Sequence, residues 1–135
     1  MKNTDINTEL FEHLGKLFYA VAAVDKELHE DETLRLKREI EKFWKPQYAE
    51  APYSMAYYIW HAFEFARRSD TTAEEAYEEF ISYYKASPKE FPEEVKNLIM
   101  DTANSIAKAY ADKNKSELIL LAKLQLLFEG VVLKP

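Results

Sequence analysis

Glycine occurs at only two of the 135 positions in this chain, Gly15 and Gly130, and proline occurs at five. Sandwiches and barrels need many tight turns, and those turns are rich in glycine and proline. Helices joined by a few loops need far fewer of both residues. The hydrophobic fraction of 47% is typical of a globular chain rather than a disordered one. The sequence therefore predicts an all-α fold, and its length suits a single domain that spans residues 1–135.

Apolar residues recur with helical spacing in six stretches of the chain. The fifth stretch is the most regular, because its apolar residues follow i, i+3, i+4, i+7 spacing. Gly15 lies within the first stretch, where glycine costs about 1 kcal/mol relative to alanine, and its presence indicates a close helix crossing. We expect a compact bundle of about six helices over residues 7–24, 30–44, 53–68, 73–84, 92–110 and 114–128.

The sixth stretch differs from the others in being apolar on nearly all sides. Between positions 118 and 128 only Lys123 and Gln125 interrupt the apolar residues. A helix with this pattern needs neighbours on most of its sides. We therefore predict that the sixth helix lies at the centre of the bundle.

Charge and apolar runs restrict the possible partners and the compartment. The net charge of −6 disfavours nucleic acid and anionic membrane surfaces, since both attract basic patches. The longest apolar run, residues 17–24, is far shorter than the ~20 residues that span a bilayer, so no membrane insertion is expected. The chain has no cysteine, which excludes disulfides and thiolate metal sites. Because no signal-peptide pattern follows Met1, we expect a cytoplasmic, bacterial-type protein.

Two places in the chain repeat the same arrangement. A helix that ends in small residues and an aspartate is followed by a short polar loop, and an acidic residue lies in the first turn of the next helix. The first copy is Ala22-Ala23-Val24-Asp25, followed by Glu30, Asp31 and Glu32. The second begins 87 residues further on as Ala109-Tyr110-Ala111-Asp112, followed by Glu117. The recurrence indicates a weak internal two-fold pseudo-repeat.

These segments resemble the TerB-like, tellurite-resistance family. The resemblance rests on residues 17–25 with the acids after them, and on residues 114–118 and 121–124. It implies an all-helical domain of two related halves whose acidic loops are brought together. It also implies a role in tellurite-type or other stress resistance, as a metal-binding scaffold or as a module joined to co-chaperone or membrane-linked partners. The family usually has glycine after the aspartate, and this chain has Lys26 and Lys113 instead.

The repeated acids are the candidate metal ligands of this chain. Ca²⁺ and Mg²⁺ select oxygen ligands, and carboxylates that converge on one point repel each other until a cation neutralises them. Asn114 could add a carbonyl oxygen. An alternative is that the acids only favour helix N-termini, where each stabilises by about 0.3–1 kcal/mol through the helix dipole. The candidate metal ligands are Asp25, Glu30, Asp31, Glu32, Asp112 and Glu117.

The middle of the chain offers an alternative function. A third helix with aromatic residues on more than one face could be a surface for a protein partner or a homo-oligomer, although a helix buried on two sides explains the same pattern. The aromatic residues are Tyr53, Tyr57, Tyr58, Trp60, Phe63, Phe65, Tyr77, Phe80, Tyr83 and Tyr84.

Nothing in the sequence predicts catalysis. No nucleophile elbow, Walker loop, dinucleotide fingerprint or zincin motif occurs, and two glycines cannot build a phosphate cradle. A deep pocket lined by His61, Glu64 and tyrosines would reopen that possibility. We expect a non-enzymatic TerB-like protein of a bacterial stress response. It would act through a Ca²⁺- or Mg²⁺-binding acidic site, or by binding another protein without metal.

Overall fold

The computed structural model describes residues 8–24, 28–44, 55–109 and 115–130, and all of its regular secondary structure within these ranges is helical. A short 3₁₀ turn, Pro88–Glu90, precedes the fifth helix. The prediction of an all-α bundle of six helices is confirmed. The helices are α1 (Thr8–Ala23), α2 (Glu30–Trp44), α3 (Met55–Arg68), α4 (Ala73–Ala86), α5 (Glu93–Ala109) and α6 (Lys115–Phe128).

Helix α1 lies at the centre of the bundle and contacts α3, α4, α5 and α6. Nine of its sixteen residues are buried, so it has almost no solvent-facing side. Small residues make this position possible, because they let neighbouring backbones approach on several sides. Gly15 is the tightest of these points. A Cβ added to it would lie 2.6 Å from the Ala62 Cβ and 2.9 Å from the Phe63 amide nitrogen, which confirms the predicted close crossing.

The prediction that α6 occupies the centre is wrong. Only Glu117, Leu121 and Leu124 of α6 are buried, whereas 51% of Leu118 and 47% of Ile119 are exposed. α6 packs mainly against α5 and α1. An apolar helix surface indicates that packing against other helices is favourable. It does not determine which helix of the bundle occupies the centre. In this bundle α1 already fills the centre.

The directions of the helices place several helix ends at the same end of the bundle. Tyr19, near the end of α1, donates a hydrogen bond to the Thr71 carbonyl just before α4, at 2.8 Å. α4 then runs back along α1, where Glu79 pairs with Lys16 at 2.7 Å. α2 and α5 are also antiparallel, as three side-chain hydrogen bonds show: Arg35 to Ala109, Ser105 to Glu39 and Trp44 to Thr102.

As a result, the starts of α2 and α4 lie at the same end of the bundle as the ends of α1, α3 and α5. The start of α6 belongs to it too, since Ser116 lines the same groove as Val24 and Ala73. We call this end of the molecule the loop end. None of the described helices is long and apolar enough to cross a membrane.

Candidate functional site

An open, mainly apolar groove of about 780 Å³ lies between α4 and α6. The two helices run in the same direction, and both begin at the loop end. The floor and walls of this groove are mainly apolar, and charged side chains stand along its edges. The walls include Tyr77, Ile81, Ile119, Leu120 and Leu127, and the edges include Glu74, Glu78, Lys85 and Lys123.

Helical periodicity explains which side chains face this α4–α6 groove. On α4, Ala76 and Phe80 are buried in the core, and the residues that follow each of them, Tyr77 and Ile81, turn toward the groove. On α6, Leu121 and Leu124 anchor the helix against its neighbours. The neighbouring side of α6 faces the open groove instead of packing directly on a helix, and it forms the second wall.

Aromatic rings close one end of the groove. The Phe128 ring packs 5.3 Å from the Tyr84 ring and 6.3 Å from the Phe80 ring, measured between centroids. Lys96 donates a hydrogen bond to the Phe128 carbonyl at 3.3 Å. These contacts hold the ends of α4 and α6 together.

Tyr77 is the buried polar group of the groove wall. Burial raises the pKa of its phenol to about 12, because desolvation disfavours the phenolate. The hydroxyl therefore stays protonated at neutral pH and can donate or accept a hydrogen bond. It cannot serve as a base there.

Of the predicted metal ligands, the structure describes four. Asp25 and Asp112 lie outside the described residues, as do Lys26, Lys113 and Asn114. Glu30, Asp31 and Glu32 lie in the first turn of α2, where Glu30 and Asp31 are exposed and Glu32 is half-buried, whereas Glu117 is completely buried in the first turn of α6. The buried position of Glu117 separates it in environment from the three acids of α2.

Two of the acids of α2 interact with other residues of the chain. The Glu32 carboxylate accepts a hydrogen bond from the His29 backbone N–H at 2.9 Å, which caps the start of α2. Glu30 lies close enough to Arg67 for its charge to contribute to the raised pKa of that guanidinium, after the larger effect of the Glu64 hydrogen bond. Of these two interactions, only that of Glu32 caps the helix.

Two helices that flank the acidic segments, α2 and α5, contact each other through a side-chain hydrogen bond. Arg35 of α2 donates a hydrogen bond to the Ala109 carbonyl at the end of α5, at 3.1 Å. This contact brings the start of α2 beside the last described turn of α5. Within the residues that the structure describes, no group of three or more His, Asp or Glu side chains could hold a metal ion.

A second cleft, of about 460 Å³, lies between α2 and α3 and includes His61, Glu64 and Tyr57 in its lining. Arg67 donates two hydrogen bonds to the Glu64 carboxylate, at 2.8 and 2.9 Å, and lowers the pKa of Glu64. His61 is exposed beside the Tyr57 ring. A carboxylate held ionised by an arginine is unsuited to donate a proton at neutral pH.

The aromatic third helix has one buried side and one exposed side. α3 packs against α1 and α2, with Ile59 and Phe63 completely buried. Tyr57 is 45% exposed and Phe65 is 71% exposed on the outer side. These two rings do not line the α4–α6 groove. The aromatic residues of this helix predicted an alternative interaction surface, and that alternative stays a prediction. The α4–α6 groove was not predicted, and the apolar residues of α6 were its signal in the sequence.

Comparison with models of protein families, with curated proteins and with solved structures gave no match to this chain. The fold and site define a class, an all-α helical bundle with an open apolar groove. Membership of the TerB-like family and the internal pseudo-repeat remain predictions from the sequence.

Proposed function

We propose that this chain acts without catalysis by binding another protein in the α4–α6 groove. The observation that carries the proposal is an apolar groove whose α6 wall contains the half-exposed side chain of Ile119. Apolar surface of this kind is costly to leave in water and is typical of protein interaction sites. Grooves between two helices are also suited to receive a helix of a partner.

The titratable groups of the groove agree with a binding role. Its edges carry two glutamates and two lysines, and its wall carries Tyr77, whose pKa is raised to about 12. The phenol of Tyr77 keeps its proton near neutral pH, because burial raises its pKa. Shape and burial of apolar surface, rather than proton transfer, are therefore what the groove can supply.

Site-specific photocrosslinking tests the proposal. The full chain is produced in cells with a benzophenone amino acid at position 119 and, as a matched control, at position 65, since Phe65 is exposed on a different helix. We expect a protein to be crosslinked from position 119 and not from position 65. That protein, once purified, should bind the purified chain in calorimetry, with binding lost in Ile119→Glu and retained in Phe65→Glu. A chain that crosslinks to nothing from position 119 contradicts the proposal.

A divalent cation at the loop end is a second proposal, in the stress-response setting that the TerB resemblance implies. It is supported by the Arg35–Ala109 contact, which brings together the helices that flank the two acidic loops. Ca²⁺ or Mg²⁺ would be held by ligands drawn from Asp25, Glu30, Asp31, Glu32, Asp112 and Glu117.

Calorimetric titration of chelator-stripped protein tests this second proposal. We expect Ca²⁺ or Mg²⁺ binding that raises the melting temperature and that is lost in Asp25→Ala and Asp112→Ala. Asp101→Ala is the matched control, because Asp101 is exposed in the middle of the length of α5. Equal binding by the parent and both loop variants would show that the proposed ligands are wrong.

A further inference from the structure

The charges along the α4 edge of the groove are arranged by sign. Glu74 and Glu78 stand toward the loop end, and Lys85 stands seven residues after Glu78 toward the other end. Residues seven apart lie on the same helix face, about 10 Å from each other along the axis. Glu78 and Lys85 are both exposed, and neither forms an ion pair with another described residue.

This arrangement is complementary to itself. A two-fold axis perpendicular to α4 that passes beside Ile81 exchanges the positions of Glu78 and Lys85. In a pair of chains related by that axis, Glu78 of each copy lies opposite Lys85 of the other. The apolar residue at the midpoint, Ile81, then packs against its own symmetry mate. Closed two-fold pairs of this kind are the commonest soluble oligomers.

We propose that the occupant of the α4–α6 groove is a second copy of this chain, paired antiparallel through α4 and α6. This inference rests on the proposed function and identifies its partner. The edges of the groove carry two glutamates and two lysines, so their summed charge does not select an acidic or a basic partner. On α4, the order of Glu78 and Lys85 is complementary to the same two residues of a second copy that runs in the reverse direction.

The area of the face formed by α4 and α6 limits the stability of the proposed dimer. Each of α4 and α6 has 14 residues, so each is about 21 Å long. Two such helices side by side project over about 400 Å², which is less than the ~800 Å² that each partner buries in a standard interface. We therefore expect a reversible dimer with a micromolar dissociation constant rather than a permanent one.

Charge reversal combined with mixing tests the pairing. Sedimentation velocity of the parent chain should show a monomer–dimer equilibrium at concentrations up to about 1 mM. Glu78→Lys and Lys85→Glu should each abolish the dimer, because like charges then face each other on both sides of the two-fold axis. An equimolar mixture of these two variants should restore the dimer, since every facing pair is again opposite in sign.

The matched controls are Glu94→Lys and Lys108→Glu, which reverse exposed charges of α5 outside the groove and should leave the dimer unchanged. A parent chain that stays monomeric overturns the inference. So does a dimer that survives both reversals, and so does a mixture of the variants that stays monomeric. If the chain is monomeric but position 119 crosslinks to a different protein, only the identity of the partner is wrong. If position 119 crosslinks to nothing, the proposed function fails as well.

Discussion

The indole N–H of Trp44 donates a hydrogen bond to the Thr102 hydroxyl at 2.8 Å, and both side chains are buried. The Thr102 hydroxyl in turn donates to the Leu98 carbonyl at 2.7 Å. Trp44 and Thr102 are 58 positions apart, and the hydrogen bond between them joins the end of α2 to the middle of α5. One hydroxyl thus satisfies a buried donor of another helix in a core that is otherwise almost entirely apolar.

Removing that hydroxyl should destabilise the fold. Thr102→Val keeps the shape of the side chain but leaves the buried Trp44 N–H without its acceptor. We expect the free energy of unfolding to fall by about 1–3 kcal/mol in a urea titration. Asn104→Ala removes a similar bond to the preceding turn on the exposed face of α5 and should change stability by less than about 0.5 kcal/mol. Equal effects of the two substitutions would contradict the importance of the Trp44–Thr102 bond.

Gly15→Ala should also destabilise the protein, although alanine favours helix formation. The added methyl group would overlap the Ala62 Cβ and the backbone of α3, and backbone cannot move aside as a flexible side chain can. We expect a net loss of about 1–3 kcal/mol in thermal or urea unfolding, as for other overpacked cores. Glu12→Ala, at an exposed position of the same helix, serves as the control. A more stable Gly15→Ala protein would show that α1 and α3 are further apart than described.

The peripheral position of α6 predicts different effects for two of its residues. Leu124 is completely buried, so Leu124→Ala should lower the free energy of unfolding by about 2–5 kcal/mol. Ile119 is half exposed, so Ile119→Lys should change that free energy by less than about 0.5 kcal/mol in the monomer. Denaturant titrations at low protein concentration measure both changes. Severe destabilisation by Ile119→Lys would instead favour a central α6.

The Glu64–Arg67 pair predicts a specific pH dependence. Arg67 lowers the pKa of Glu64 in the folded chain below the value of about 4.3 that a free glutamate has. The pair therefore stabilises the fold above that value, and the stabilisation is lost as the pH falls through the folded pKa. In Glu64→Gln this part of the acid dependence should be absent. Unfolding free energies measured between neutral pH and about pH 3 test the difference, and parallel pH profiles would contradict the prediction.

Local features of the chain were predictable from its sequence because short-range physics determines them. The fifth stretch became α5 with Ile99, Thr102, Ala103 and Ile106 buried, as its spacing predicts. Thr72 and Glu75 form the capping box that their spacing allows, with reciprocal hydrogen bonds of 2.9 and 3.0 Å. Gly15 marked a close crossing. Each of these depends on residues within a few positions of each other, or on one residue that lacks a side chain.

The α4–α6 groove could not be predicted in the same way. The apolar residues of α6 indicated only that burial would be favourable, and they were assigned to the centre of the bundle. α1 obtains that position instead, because its small residues let several helices approach it. The groove also needs Tyr77 and Ile81 from a helix about forty positions earlier, and no local pattern pairs them with α6.

The sequence by itself determined the all-α class, the number of helices and most of their boundaries, because helical periodicity and capping act within one or two turns. Only the tertiary structure decided which helix is central, which acids cap a helix and where apolar surface stays open. Those outcomes depend on competition among helices for a limited interior. The arrangement that leaves the α4–α6 groove uncovered is a property of the whole bundle.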